Sequence, residues 1–226
     1  MAPSNDQRRR PVVPSVNLAS APPAMPRPLR LPLSVTAGLA AIVVLVLGIA
    51  HAGAVDDEWA APIVWLHGAV WYLANAIDFL GEPAGSTIVF VVLTVAFVLA
   101  ARPRSALLVV AGPGLTVAAT TLLKPVVGRR IHEVYLSFPS GHTAFATAMA
   151  LVIGMLLAGR LALGAVRGTV LVLGLALLAA VVMGWGEVAL SAHYVTDAVG
   201  GFCTALAIAP PVALAVDKLS TTVLRR

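Results

Sequence analysis

The residues able to do chemistry in this chain fall in two short polar stretches between long apolar runs. The first runs from Lys124 to Thr143 and reads KPVVGRRIHEVYLSFPSGHT; the second runs from Gly186 to Asp197 and reads GEVALSAHYVTD. In the second, His193 and Asp197 are spaced to share one face of a helix, where the carboxylate accepts a proton from one imidazole nitrogen. That contact fixes the tautomer and leaves the other nitrogen as a nucleophile or base. In the first, Ser140-Gly141-His142 opens a helix, whose initial N–H groups favour an anion. Gly141 permits close backbone approach, and the Ser140 hydroxyl adds a donor. Taken alone, this triplet reads equally well as a helix cap. Lys124, Arg129 and Arg130 add positive charge, and each singly could serve a lipid headgroup. Beside two histidines they point to an anionic ligand, and phosphate suits best because a phosphoryl group needs several donors to spread its charge.

These stretches must be positioned by apolar elements. Of 226 residues, 59% are hydrophobic and 11% charged, too little charge to cover a soluble domain of this length. An all-α polytopic membrane fold follows, since about 20 apolar residues cross a bilayer as a helix. Six spans are expected, near Leu31–Ala54, Gly85–Ala101, Ser105–Leu123, Thr143–Leu163, Arg167–Trp185 and Tyr194–Val216. Between the first two, Asp57–Gly81 is amphipathic and carries Trp59, Trp65, Trp71 and Tyr72, which predicts an interfacial helix. Residues 1–30 are basic and proline-rich and are expected to form a disordered tail, residues 31–220 the membrane domain, and residues 221–226 a second basic tail. The run from Leu31 is too long for a signal peptide and is expected to be retained. Cys203, the single cysteine, can form no intrachain disulfide and reads as a small buried apolar residue.

The charge distribution orients these spans. With six crossings and an inside amino terminus, twelve of the fifteen Lys and Arg residues fall inside, which predicts cytoplasmic termini in the plasma (inner) membrane. The three exceptions are Lys124, Arg129 and Arg130, in the loop that carries the candidate site. Both chemistry-bearing loops then share the outer face. The net charge of +5 is clustered between apolar runs, with no basic stripe of the kind that binds nucleic acid.

The motifs resemble those of the type-2 phosphatidic acid phosphatase superfamily, which also includes bacterial undecaprenyl-pyrophosphate phosphatases and vanadium haloperoxidases. Its pattern is K-x6-R-P, then P-S-G-H, then S-R-x5-H-x3-D. Here P-S-G-H is complete at Pro139–His142, H-x3-D is complete at His193–Asp197, and Lys124 heads the first block. The resemblance covers roughly residues 31–216. It implies that His193 attacks phosphorus to form a phosphohistidine, that Asp197 orients it, and that His142 protonates the leaving group and then activates water. It further implies that Lys124, Ser140 and the Gly141 amide hold the phosphoryl oxygens, that neither cofactor nor metal is required, and that the substrate is a lipid phosphate or isoprenoid pyrophosphate. Membrane lipids are the other expected partners; nucleic acid is not one.

Two departures qualify this. Ile131 and His132 stand where the pattern has Arg-Pro, and Gly186 and Glu187 stand where it has Ser-Arg. A carboxylate beside a phosphate is unfavourable unless a cation offsets it. Arg129 or Arg130 could take the place of the first arginine, with Glu187 pairing to position it. The competing reading is an inactive relative that binds phospholipid or a membrane partner. A transporter is disfavoured because its polar groups would lie at mid-membrane, and a haloperoxidase because that role resembles soluble proteins with bound vanadate. The alanine- and valine-rich composition suggests a bacterial source.

Overall fold

The computed structural model describes residues 22–55 and 67–223. A single 3-10 turn at Arg27–Leu29 leads into α1 (Arg30–Ala50), followed by α2 (Ala69–Phe79), α3 (Pro83–Leu99) and α4 (Pro103–Val127). A two-stranded antiparallel hairpin comes next, β1 (Arg130–Ile131) with β2 (Tyr135–Leu136), and then α5 (Gly141–Arg160), α6 (Ala165–Ala189) and α7 (Val195–Val223). The chain is a nearly all-α, multi-pass membrane protein. Among the described residues, five helices are long and apolar enough to cross a bilayer, and α2 with α3 makes a sixth candidate, bent by 58° at the break between them. The expected second span is thus shorter than the others, because α3 has only 17 residues. Trp71 and Tyr72 are exposed on α2, whereas Trp59 and Trp65 lie outside the described residues.

The bundle is built around α5, which packs against α4, α6 and α7. Its inward positions are small or flexible (Ala144, Ala148, Gly154, Met155, Ala158), so neighbouring backbones approach closely. Leu, Val and Ile residues of α1, α3 and α6 face outward in quantity, as suits helices solvated by lipid. At the end of α4, Gly128 adopts φ 69°, the left-handed cap that glycine tolerates, and turns the chain into the hairpin. The turn after Ala50 is tied there as well: Gly53 N–H donates to the Val127 carbonyl and Arg130 N–H to the Ala54 carbonyl, both at 2.8 Å.

Residues 22–29, expected in the tail, are docked instead. Ala24, Met25 and Leu29 are buried in the core. The Asp217 carboxylate, late in α7, accepts the backbone N–H groups of Ala24 (2.6 Å) and Met25 (3.2 Å) and lies 3.4 Å from Arg30. Residues 1–21 and 224–226 lie outside the described residues.

Candidate functional site

Four helix ends meet opposite the Asp217 end of the bundle: α5 and α7 begin there, and α4 and α6 finish there. Ser140 caps α5, its Oγ accepting the Thr143 N–H at 3.1 Å. The Ser140 N–H donates to the Asp197 carbonyl at 3.0 Å, which joins the start of α5 to the start of α7. Gly201 makes this approach possible, since a methyl group on it would lie 2.5 Å from the Ser140 carbonyl oxygen. His193 sits in the turn just before α7 rather than on the helix. Asp197 reaches it by capping that turn: its Oδ2 accepts the Tyr194 N–H at 3.0 Å and stands 3.4 Å from His193 Nδ1. The pairing expected from the spacing is present, made by a cap turn and not by a shared helical face.

The other Asp197 oxygen is taken by Arg129. Its Nη1 donates to Asp197 Oδ1 at 2.8 Å and to Thr196 Oγ1 at 2.5 Å, while its guanidinium lies 4.2 Å from the centre of the Tyr194 ring. Both charges of this pair are buried. Arg129 therefore acts as counter-ion to the carboxylate behind His193. Arg130 is exposed on β1 and its side chain reaches the Glu133 carbonyl at 3.5 Å, so it is not brought into the cluster. Lys124 belongs to the last turn of α4 and lies within electrostatic range of Glu187 and Asp197.

Glu187 corrects the expected arrangement most. It lies on α6, which extends to Ala189 beyond the expected end at Trp185, and its carboxylate is fully buried. Arg130, exposed and directed at the Glu133 carbonyl, is not its partner. Instead Glu187 accepts the Ser140 hydroxyl, 2.7 Å from each oxygen, and the Thr143 hydroxyl at 2.5 Å. Its Oε1 is 3.5 Å from His193 Nε2 and 3.5 Å from His142 Nδ1. The carboxylate thus lies among the very donors expected to hold a phosphoryl group.

The remaining departures have local explanations. Ile131 is buried in the hairpin opposite Tyr135. His132, at φ 54° in the hairpin turn, bonds the Ser191 carbonyl through Nε2 at 2.9 Å and so staples the two loops together. Gly186 lets α2 rest on α6, with Ile77 Cγ2 3.2 Å from where a methyl group would stand.

Three site residues escaped the sequence reading. Asp78 and Glu82 come from the end of α2 and the break before α3, within 4.8 Å of a His142 nitrogen; Glu82 Oε1 is 3.7 Å from His142 Nε2. Their signal was an acidic pair four apart in an otherwise apolar segment, a costly placement at a membrane edge. Gly81 lies under the imidazole, where a methyl group would fall 2.1 Å from His142 Cδ2. Apolar grooves flank the cluster. One of about 400 Å³ runs between α6 and α7 past Trp185, Val188, Val195 and Phe202. Another of about 280 Å³ lies against α2, α5 and α6 past Leu80, Phe145 and Val182.

The family model of the PAP2 superfamily matches residues 84–220, more than half of the sequence. The chain belongs to the PAP2 superfamily. Its fold is similar to the crystal structure of a transmembrane PAP2-type phosphatidylglycerolphosphate phosphatase from Bacillus subtilis. The TM-score is 0.64 at 21% identity, over 81% of this chain and 96% of that one. At that identity the likeness is one of fold. No curated protein matches the sequence. Within the PAP2 framework, His142, Ser140, His193 and Asp197 converge as the sequence motifs anticipate, and Glu187 sits between them.

Proposed function

We propose that this PAP2 protein is an integral membrane phosphatase acting on a lipid phosphate or isoprenoid pyrophosphate at the outer face of the plasma membrane. One observation carries the reading: imidazole nitrogens from α5 and from the turn before α7, His142 Nδ1 and His193 Nε2, each stand 3.5 Å from one carboxylate oxygen. That oxygen, Glu187 Oε1, stands in for a phosphoryl oxygen. In the proposed reaction His193 Nε2 attacks phosphorus, and the bond to the leaving oxygen breaks as His142 delivers a proton to it. His142 then takes a proton from water, which attacks the phosphohistidine and frees inorganic phosphate and His193. Asp197 holds Nδ1 throughout, and Arg129 holds Asp197. Flanking apolar grooves suit lipid tails, and the concentration of basic residues on the opposite loops supports an outer-face site.

For phosphate to reach this cradle, the Glu187 carboxylate must swing aside or carry a proton, since two anions cannot share it. That requirement favours a second reading, a PAP2 relative that binds phospholipid or a membrane partner without turnover. Phosphate release from the purified full chain decides between them. The substrates to compare are phosphatidic acid, phosphatidylglycerolphosphate and isoprenoid pyrophosphates, with His193→Ala in parallel. Release by the wild type that is lost in His193→Ala upholds the phosphatase. A folded wild type that releases none from any of them gives way to the binding protein.

A further inference from the structure

We infer that His142, Glu187 and His193 form a binding site for one divalent transition-metal ion of the zinc class. Their ligand atoms lie within 4.8 Å of one another. A tetrahedral ion with bonds of about 2.0–2.1 Å spaces its ligands about 3.3–3.4 Å apart. Two edges of that figure are already close to it, His142 Nδ1 to Glu187 Oε1 and His193 Nε2 to Glu187 Oε1, both at 3.5 Å. On the third edge, ligand nitrogens of His142 and His193 lie within 4.8 Å and would draw together around an ion. Two imidazoles and one carboxylate are a donor set suited to zinc, leaving a fourth position for water or an anion.

The surroundings of the three ligands match those of a metal centre. A carboxylate lies beside the remaining nitrogen of each histidine: Asp197 is hydrogen-bonded to His193 Nδ1 at 3.4 Å, and Glu82 stands 3.7 Å from His142 Nε2, beyond hydrogen-bond reach. The first of these contacts would orient a metal-bound imidazole and strengthen it as a ligand. The Glu187 carboxylate is held in place by the Ser140 and Thr143 hydroxyls. Charge argues in the same direction. Asp78, Glu82, Glu187 and Asp197 supply four carboxylates around the histidines, against the two cations Lys124 and Arg129. With neutral histidines, an excess of two negative charges remains, which a divalent cation balances and a phosphate dianion doubles.

Metal binding stands apart from the phosphatase reading, but its effect on turnover rests on it. Coordination occupies the His193 Nε2 lone pair that would attack phosphorus, so the metal-loaded form is inert by that route. The test uses the full chain in detergent, free of any histidine tag and stripped with chelator, titrated with Co²⁺ and followed by its visible d–d bands. The expected result is saturation at one equivalent with the intensity of a four-coordinate ion, and loss of the bands on adding Zn²⁺. Glu187→Gln, which preserves shape, and His142→Ala should each weaken binding by at least about tenfold. A folded wild type without such bands overturns the proposal, as does an unchanged titration in both variants. Phosphate release is measured on the same samples. Release without bands removes the metal site and leaves the phosphatase; bands without release from chelated or loaded protein uphold the metal site and remove the phosphatase.

Discussion

The two helices that begin at the site and the two that end there have followed different rules. The starts of α5 and α7 carry Pro139-Ser140-Gly141-His142 and His193…Asp197 in full. They also pack closely on each other, through Gly201 against the Ser140 carbonyl. The region after α4 and the end of α6 carry every departure, Ile131 and His132 on one side, Gly186 and Glu187 on the other. The first half carries the residues proposed as nucleophile, orienting carboxylate and acid. The second half would supply the charge that grips phosphate, and there the sign is reversed by a buried carboxylate. On the proposed roles, reactive groups and electrostatic setting are separable in this fold. One can be kept while the other is rebuilt.

The comparison can be broken first at Asp197. Asp197→Asn removes the partner of a buried arginine and the anchor of His193 in one step. It should lower stability by about 3–5 kcal/mol, read as a fall in melting temperature, because an uncompensated buried charge remains. Phosphate release should fall by at least about a hundredfold, as expected when a catalytic imidazole loses its orienting carboxylate. A variant as stable and active as the wild type would detach the nucleophile half from its supposed frame. Next is Glu187→Gln. A unit charge about 4 Å away is worth about 4 kcal/mol at an effective dielectric near 20, so even after heavy screening kcat/KM should rise about tenfold. A drop would instead assign Glu187 to turnover and erase the contrast between the halves. Smaller effects sharpen the picture. Gly81→Ala pushes on the His142 ring and should reduce kcat several-fold with little change in KM, which steady-state kinetics on lipid phosphate would reveal. Arg130→Ala should leave kcat/KM within about twofold, since that side chain is exposed and directed at the Glu133 carbonyl; a larger loss would draw the hairpin into the site.

Much of this was legible in the sequence. Apolar runs long enough to cross a bilayer located α1 and α4–α7, because membrane insertion depends on little beyond length and hydrophobicity. The spacing of His193 and Asp197 was correctly read as a contact, although a cap turn produces it. What escaped depended on where helices end. Ending α6 at Trp185 puts Glu187 in a loop with freedom to seek an arginine; about one further turn of helix commits it to face Ser140 and Thr143 instead. Arg129 and Arg130 are adjacent in sequence and look interchangeable, but β1 sends the second outward and leaves the first buried against Asp197. Asp78 and Glu82 were unreadable as neighbours of His142 because the bend of 58° between α2 and α3 brings them there, and no short-range pattern encodes it. Residues 22–29 looked like tail because their proline content hides the burial of Ala24 and Met25 against α7.

That last contact bears on how the protein is made. α1 packs mainly on α7, and Asp217 fastens the chain just ahead of α1 to the far end of α7. Of the described helices, α1 leaves the ribosome first and meets its main partner last. At about 5–20 residues per second, the roughly 145 residues between Ala50 and Val195 take on the order of ten to thirty seconds to synthesise. For that interval the inner face of α1, with Leu33, Ala37 and Ala40, is served by lipid, at little cost because the face is wholly apolar. The polar part of the seam, Asp217 with the Ala24 and Met25 amides, can close only at the end. Assembly of this bundle is thus completed by joining its first and last helices, a seal applied after every other helix has been delivered to the membrane.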